Sequence, residues 1–187
     1  MAVHVTTATE PDLDELADVA ALTFPLACPP SATPDNVATF IEANLSRARF
    51  ADYLTDPLRV VLSARDGDRM LGYAMLIRGV PDLADDPDVQ RAVPLRPAVE
   101  LSKMYVLPDA HGAGVSAALM AASVEWATDD GAACIWLGVN QENQRAQRFY
   151  AKHGFRASGT KTFRLGAGLE HDYVMLRPLS EATDPQA

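Results

Sequence analysis

Residues 101–126 constrain the fold of this chain more than any other stretch. An apolar run from Leu101 to Leu107 is followed by Pro108-Asp109-Ala110-His111-Gly112-Ala113-Gly114-Val115-Ser116-Ala117, which leads into an alanine-rich segment ending near Trp126. The order predicted is strand, glycine-punctuated turn, helix. Such a connection aims several backbone N–H groups at one point. The first turn of a helix leaves about four of them unpaired, and the helix dipole adds partial positive charge there. Glycine lets the backbone take the required angles and come close to a ligand. The guest such a turn suits is a phosphate or pyrophosphate.

Three phosphate-binding patterns compete for this loop. A nucleotide-triphosphatase loop needs a lysine followed by Ser or Thr, and none follows Gly114. A dinucleotide fingerprint is nominally matched by Gly112-x-Gly114-x-x-Ala117, but it requires a carboxylate about 20 positions later. That region reads Cys134-Ile135-Trp136-Leu137-Gly138 and has none. A second motif lies downstream, Asn143-Gln144-Arg145-Ala146-Gln147-Arg148-Phe149-Tyr150 followed by Ala151-Lys152-His153-Gly154-Phe155. Together, the strand–turn–helix, the next strand and this N-x-x-A-x-x-F-Y-x-x-x-G-F pattern resemble the GNAT superfamily of acyl-CoA N-acyltransferases. The family's loop pattern falls on His111, Gly114 and Ser116, with His in place of Gln or Arg and Ser in place of Gly or Ala.

The resemblance implies an α/β (α+β) GNAT fold, a mixed central sheet of about seven strands with flanking helices and a splay between the two central parallel strands. It implies acetyl-CoA as co-substrate, with no metal, its diphosphate gripped by the backbone of His111, Gly112, Ala113, Gly114, Val115, Ser116 and Ala117. The main chain of Met104, Tyr105 and Val106 is expected to pair with the pantetheine arm. It is also expected to supply a donor to the thioester oxygen, a type of contribution worth on the order of 3 kcal/mol. Asn143, Ala146 and Tyr150 are spaced to share one helix face. In that arrangement Asn143 bonds the pantetheine amides, and Tyr150 is the general acid for the leaving thiolate. Arg145, Arg148 and Lys152 form a basic strip within reach of a CoA phosphate.

Acetyl transfer to an amine also needs a base. An alkyl amine of pKa about 10.4 is only about one part in a thousand neutral near pH 7.4, a deficit of roughly 4 kcal/mol. Glu100, at the head of the strand feeding the loop, aligns with the glutamate of the histone-acetyltransferase branch and is the expected base. Another branch carries its glutamate on the following strand, where this chain has Gly138. His111 is expected at a phosphate rather than in catalysis, and His171 could line the acceptor mouth.

Charge and composition narrow the partners. Sixteen basic and twenty-five acidic residues give a net charge of −9, which disfavours nucleic acid and agrees with a cationic acceptor. The N-terminus lacks a basic, apolar leader pattern, and no run reaches the ~20 apolar residues of a membrane span, so a cytoplasmic location is expected. Cys28 and Cys134 read as small buried hydrophobes, and no Cys/His cluster has metal-ligand spacing. A single domain over residues 1–179 is expected, with 180–187 a polar tail, and the fold allows a homodimer.

Along the chain, periodicity predicts a strand at 3–7, a helix at 12–24 broken by Pro25, Pro29 and Pro30, and one helical region at 34–53. A hairpin follows at 59–64 and 70–77, then a long irregular connection at 79–97. Strands at 100–107 and 133–139 flank the alanine-rich helix, and 156–165 with 172–176 form a closing hairpin. The run Thr162-Phe163-Arg164-Leu165-Gly166 with Asp172-Tyr173-Val174-Met175, and that from Glu100 to Pro108, resemble bacterial polyamine (spermidine/spermine) acetyltransferases. The expected activity is therefore acetyl transfer to a primary amine of a small, polyamine-like acceptor in a ternary complex. The rivals are a protein lysine, N-terminal or antibiotic amine as acceptor, and a non-catalytic acyl-CoA sensor.

Overall fold

A computed structural model describes residues 1–82 and 84–179. Seven strands run in chain order as β1 (Val3–Thr7), β2 (Arg59–Asp66), β3 (Arg69–Arg78), β4 (Ala98–Val106), β5 (Cys134–Asn140), β6 (Arg156–Leu165) and β7 (Gly168–Pro178). Six helices join them: α1 (Leu13–Ala27), α2 (Pro34–Asn44), α3 (Arg47–Thr55), α4 (Pro87–Ala92), α5 (Val115–Asp129) and α6 (Gln144–Lys152). The strands form one sheet in the order β1-β2-β3-β4-β5-β7-β6, antiparallel except for β4 and β5. This is the mixed GNAT-type architecture expected from the sequence.

The parallel pair holds the key irregularity. β4 and β5 are in register only at Ala98–Cys134, Val99–Ile135 and Glu100–Trp136. Beyond Glu100 both strands continue without pairing to each other, so the centre of the sheet splays. α5 makes the crossover between them, starting beside the loop and ending before β5.

Three helix boundaries differ from the sequence expectation. α1 runs through Pro25 to Ala27. Pro25 and Ala21, whose carbonyl loses its N–H partner, both face solvent, while Thr23 and Phe24 keep the inner face packed. The region 34–53 is two helices, because Ser46 accepts a hydrogen bond from Arg49 N–H and starts α3 afresh. The connection before β4 contains α4, whose Val89 and Ala92 join Trp136 and Val174 in a small second core. The expected polar tail, 180–187, lies outside the described residues.

The β6–β7 hairpin is held over the site by α2. Asn36 Oδ1 accepts from Ala167 N–H at 3.1 Å, and Phe40 packs on Phe163 with ring centroids 5.3 Å apart. The main core lies around Leu16, Phe50, Tyr73, Leu119 and Phe155, all buried.

Candidate active site

Two concavities flank the splay. One, of about 260 Å³, is lined by His111, Gly112, Ser116, Arg145 and Val106; the other, of about 250 Å³, by Glu100, Lys103, Gly138, Lys161, Glu170 and Asp172. Both include Met104, Tyr105, Asn143, Ala146 and Tyr150 in their walls. The two spaces thus meet where the parallel strands part.

The first is a groove with one wall of backbone, from β4 and the glycine loop, and one of side chains from α1 and α6. Gly114 caps α5 at φ 80°, and Gly112 has φ 82°, both in the left-handed region that favours glycine. The first helical bond runs from Ala118 N–H to Gly114 O, which leaves the Val115, Ser116 and Ala117 amides as the unpaired first turn. Val115 turns its side chain into the core and presents only its amide, whereas Ala113 and Ala117 are exposed. A Cβ built on Gly112 or Gly114 would meet nothing within 4 Å, so the loop is free of protein on its outer side. The His111 side chain is turned back: its Nε2 lies 3.0 Å from Val106 O.

The strand edge continues this main-chain surface. Leu107 N–H bonds Leu71 O on β3. Alternation along an antiparallel pair then turns the N–H and C=O groups of Met104 and Val106 toward the gap, and those of Tyr105 toward β3. Asn143 does not sit inside α6 as the spacing suggested. It caps the helix, its Oδ1 accepting from Ala146 N–H at 3.0 Å, which leaves its side-chain NH₂ group free to donate. An open glycine turn, an unpaired helix start and an unpaired strand edge in one groove fit a ligand with a diphosphate and an amide-bearing arm.

The second concavity is built from side chains, and strand register explains why they meet. Arg59 and Glu100 both pair with Ile77, Lys103 with Met75 and Tyr105 with Tyr73. The register shifts between Met75 and Leu76, which makes Ser102 an extra residue on β4. Without that bulge Glu100 and Lys103, three apart, would point to opposite faces; with it they share one. Pairing carries the same face across Trp136, Gly138 and Asn140 to Asp172, Glu170 and Lys161. A Cβ at Gly138 would lie 2.6 Å from Lys161 Cε and 3.1 Å from Asp172 Oδ2. The bare glycine is what admits both groups.

Burial sets the protonation of these groups. It raises the Glu100 carboxyl above its ordinary range, with Lys161, Lys103 and Arg59 opposing. Asp172, buried, is raised for the same reason and opposed by Lys161. The Lys103 ammonium is pushed down by burial to about 8. The hydroxyl of Tyr150, whose ring packs edge-on with those of Phe149 and Phe155, is pushed up by burial to about 12. Cys28, expected as a buried hydrophobe, is instead part-exposed in the cavity wall, its thiol raised by burial to about 11. Cys134 is buried as expected.

Sequence reasoning therefore named Glu100 and Tyr150 at this site but missed Lys103, Lys161, Glu170 and Asp172. The only signal available was alternation within the closing hairpin, and it could not be referred to β4 without the register. His171 is exposed and belongs to neither wall. Among the described residues no group of three or more His, Cys, Asp or Glu is arranged to hold a metal ion.

Comparison with known proteins agrees with this fold. Residues 23–155 match the model of the Acetyltransferase (GNAT) family. An uncharacterized N-acetyltransferase of Mycobacterium tuberculosis is 60% identical over 168 residues, 90% of this chain and 98% of that protein. One from Lactobacillus delbrueckii is 22% identical over 95% of this chain and 98% of its own length. Among solved structures, the PaiA N-acetyltransferase of Thermoplasma acidophilum, in complex with coenzyme A, superposes with a TM-score of 0.74 at 15% identity, covering 95% of this chain and 99% of that one. The ribosomal-protein-S18-alanine N-acetyltransferase of Escherichia coli gives 0.68 at 18% identity, covering 100% and 99%.

Proposed function

The chain belongs to the GNAT acetyltransferase family and is an acetyl-CoA-dependent acetyltransferase; on that premise we propose direct transfer of acetyl to a primary amine of a small acceptor held in the charged cavity. The observation that carries this reading is the shared wall. A backbone-lined groove and a charged cavity meet at Met104, Tyr105, Asn143, Ala146 and Tyr150, so a thioester and an amine can meet there without a covalent relay. Cys28 is the cysteine in the wall, and a thiol raised to about 11 is almost wholly protonated at neutral pH, which weighs against an acyl-cysteine route.

Acetyl-CoA supplies the activated acetyl group. In this reading the amides of Gly112 and of Gly114 to Ala117 hold its diphosphate, those of His111 and Ala113 being bonded to Pro108 O and Ala110 O, and Arg145 stands beside them in the groove wall. The Met104 N–H, turned to the gap, is the donor for the negative charge that develops on the carbonyl oxygen. Glu100 takes the proton from the acceptor ammonium, and its raised pKa makes it a better proton acceptor than a solvated carboxylate. Tyr150 keeps its proton at neutral pH and can deliver it to the departing thiolate.

Three carboxylates in the cavity wall, Glu100, Glu170 and Asp172, favour an amine that enters as a cation. The motifs around Glu100 and Asp172 resemble those of polyamine acetyltransferases, so polyamines are the first small amines to offer. A cytoplasmic location, a single domain over 1–179 and no nucleic-acid partner complete the reading, in keeping with the net charge of −9.

The test is release of CoA thiol from acetyl-CoA when the protein is offered polyamines, amino acids, aminoglycosides and peptides in turn. Release that depends on one class of small amine is expected. Acetyl-CoA binding with no release for any amine would defeat the proposal.

A further inference from the structure

The acceptor cavity carries more positive charge than a polycation would welcome. Lys103 and Lys161 enter it from β4 and β6, on the same face as Glu100 and Asp172. No ion pair among the described residues includes any of these four. Arg59, on that face too, is engaged by Asp56 at 2.9 Å. Lys103 is buried deeply enough for its ammonium to be disfavoured, with Arg59 and Lys161 adding to the effect and Glu100 opposing it.

Unpaired charges in a partly buried cavity are costly, and the cost is offset when a ligand brings the opposite charge with good hydrogen bonds. A ligand of one sign leaves either the three carboxylates or the two lysines of this cavity uncompensated. A ligand with one charge of each sign compensates both. The bare Gly138 between them brings Lys161 Cε and Asp172 Oδ2 into one small space, so the two kinds of charge are interleaved rather than segregated.

We propose that the acceptor is a carboxylate-bearing amine of the amino-acid class, its carboxylate held by Lys103 and Lys161 and its amino group directed to Glu100 and Asp172. This rests on the transfer to a small amine set out above and chooses within that class. A polyamine would instead press one or more extra cations against the two lysines.

Matched acceptors that differ only by the carboxylate provide the test: lysine against cadaverine, ornithine against putrescine, 4-aminobutyrate against propylamine. The expected result is kcat/KM at least about tenfold higher for the carboxylate-bearing member of a pair that reacts. Lys161→Met should bring that ratio toward one, mainly through KM, while Lys161→Arg keeps most of it. Lys103→Gln gives a second reading of the same ratio if Lys161→Met does not fold. Equal or lower kcat/KM for the carboxylate-bearing amines overturns the inference and leaves transfer to small amines standing. No thiol release with any member of either series, while acetyl-CoA still binds in calorimetry, overturns both.

Discussion

The groove and the cavity share a wall, yet they are built by opposite means. The groove uses main-chain groups from one contiguous stretch, Met104 to Ala117, and its side chains are largely occupied elsewhere. His111 is tied to Val106 O, and Val115 is packed in the core. The cavity uses side chains from β4, β6 and β7 that lie as far apart in sequence as Glu100 and Asp172 and meet only through strand register. A backbone-built site tolerates changes of residue type and binds a ligand common to many enzymes. A side-chain-built site carries the selectivity, and a single register change would dismantle it.

The largest effect should come from the cavity. Glu100→Gln is expected to lower kcat by roughly 10²–10⁴, the range for a lost general base, with acetyl-CoA affinity little changed. Burial raises the Glu100 carboxyl, so kcat/KM should fall as pH drops through a value above the usual glutamate range, and the variant should lose that limb. Stability has the opposite sign. A carboxyl raised by folding contributes stability below its unfolded pKa and loses it as pH rises through the folded one, so at neutral pH the charged group is a cost. The variant's melting temperature should therefore hold or rise. A fall of several degrees would recast Glu100 as a structural residue.

Next is the groove. Gly114→Val forces a branched side chain into φ 80°, a strain of about 1–2 kcal/mol that either destabilises the loop or relaxes it away from its ligand-binding shape. Acetyl-CoA affinity should drop about tenfold by calorimetry, and the acceptor KM should move far less. Unchanged affinity would mean that the groove does not depend on its backbone form.

The same contrast explains what could be read from residues alone. The loop was legible because two glycines, an apolar strand and an alanine-rich helix are adjacent, and local order suffices to aim amides. Tyr150 and Asn143 were legible as parts of one short motif, although Asn143 proved to cap α6 rather than lie within it. Lys103, Lys161 and Asp172 were not. Their side chains share a face only because Ser102 bulges and because β7 inserts between β5 and β6, and neither feature has a local signature. Pro25 misled for a related reason: whether a proline ends a helix depends on which face it occupies.

A smaller effect, of reversed sign, separates function from stability within the cavity. With its folded pKa near 8 against 10.5 unfolded, the Lys103 ammonium binds its proton more weakly in the fold. Stability should then rise with pH across that window, because the unfolded chain holds more protons there. Lys103→Met should stabilise the ligand-free protein at pH 7 by on the order of 1–2 kcal/mol, and the advantage should shrink as pH climbs from 8 toward 10. Thermal melts at pH 7 and pH 9.5 decide it. A destabilised variant at both would show that Lys103 is already compensated in the free protein.

His111→Ala should have the smallest effect, and its smallness is informative. The imidazole stands where the family pattern has Gln or Arg, and that place suggested a phosphate contact. Its Nε2 instead meets Val106 O, on the strand edge facing the gap. Removing it costs one part-exposed hydrogen bond, about 1 kcal/mol or less, and frees a carbonyl that a bound pantetheine arm could use. These changes oppose each other, so acetyl-CoA affinity should stay within about threefold of the parent. A tenfold loss would show a side chain gripping the phosphates, and the division between a backbone-built groove and a side-chain-built cavity would fail at its first residue.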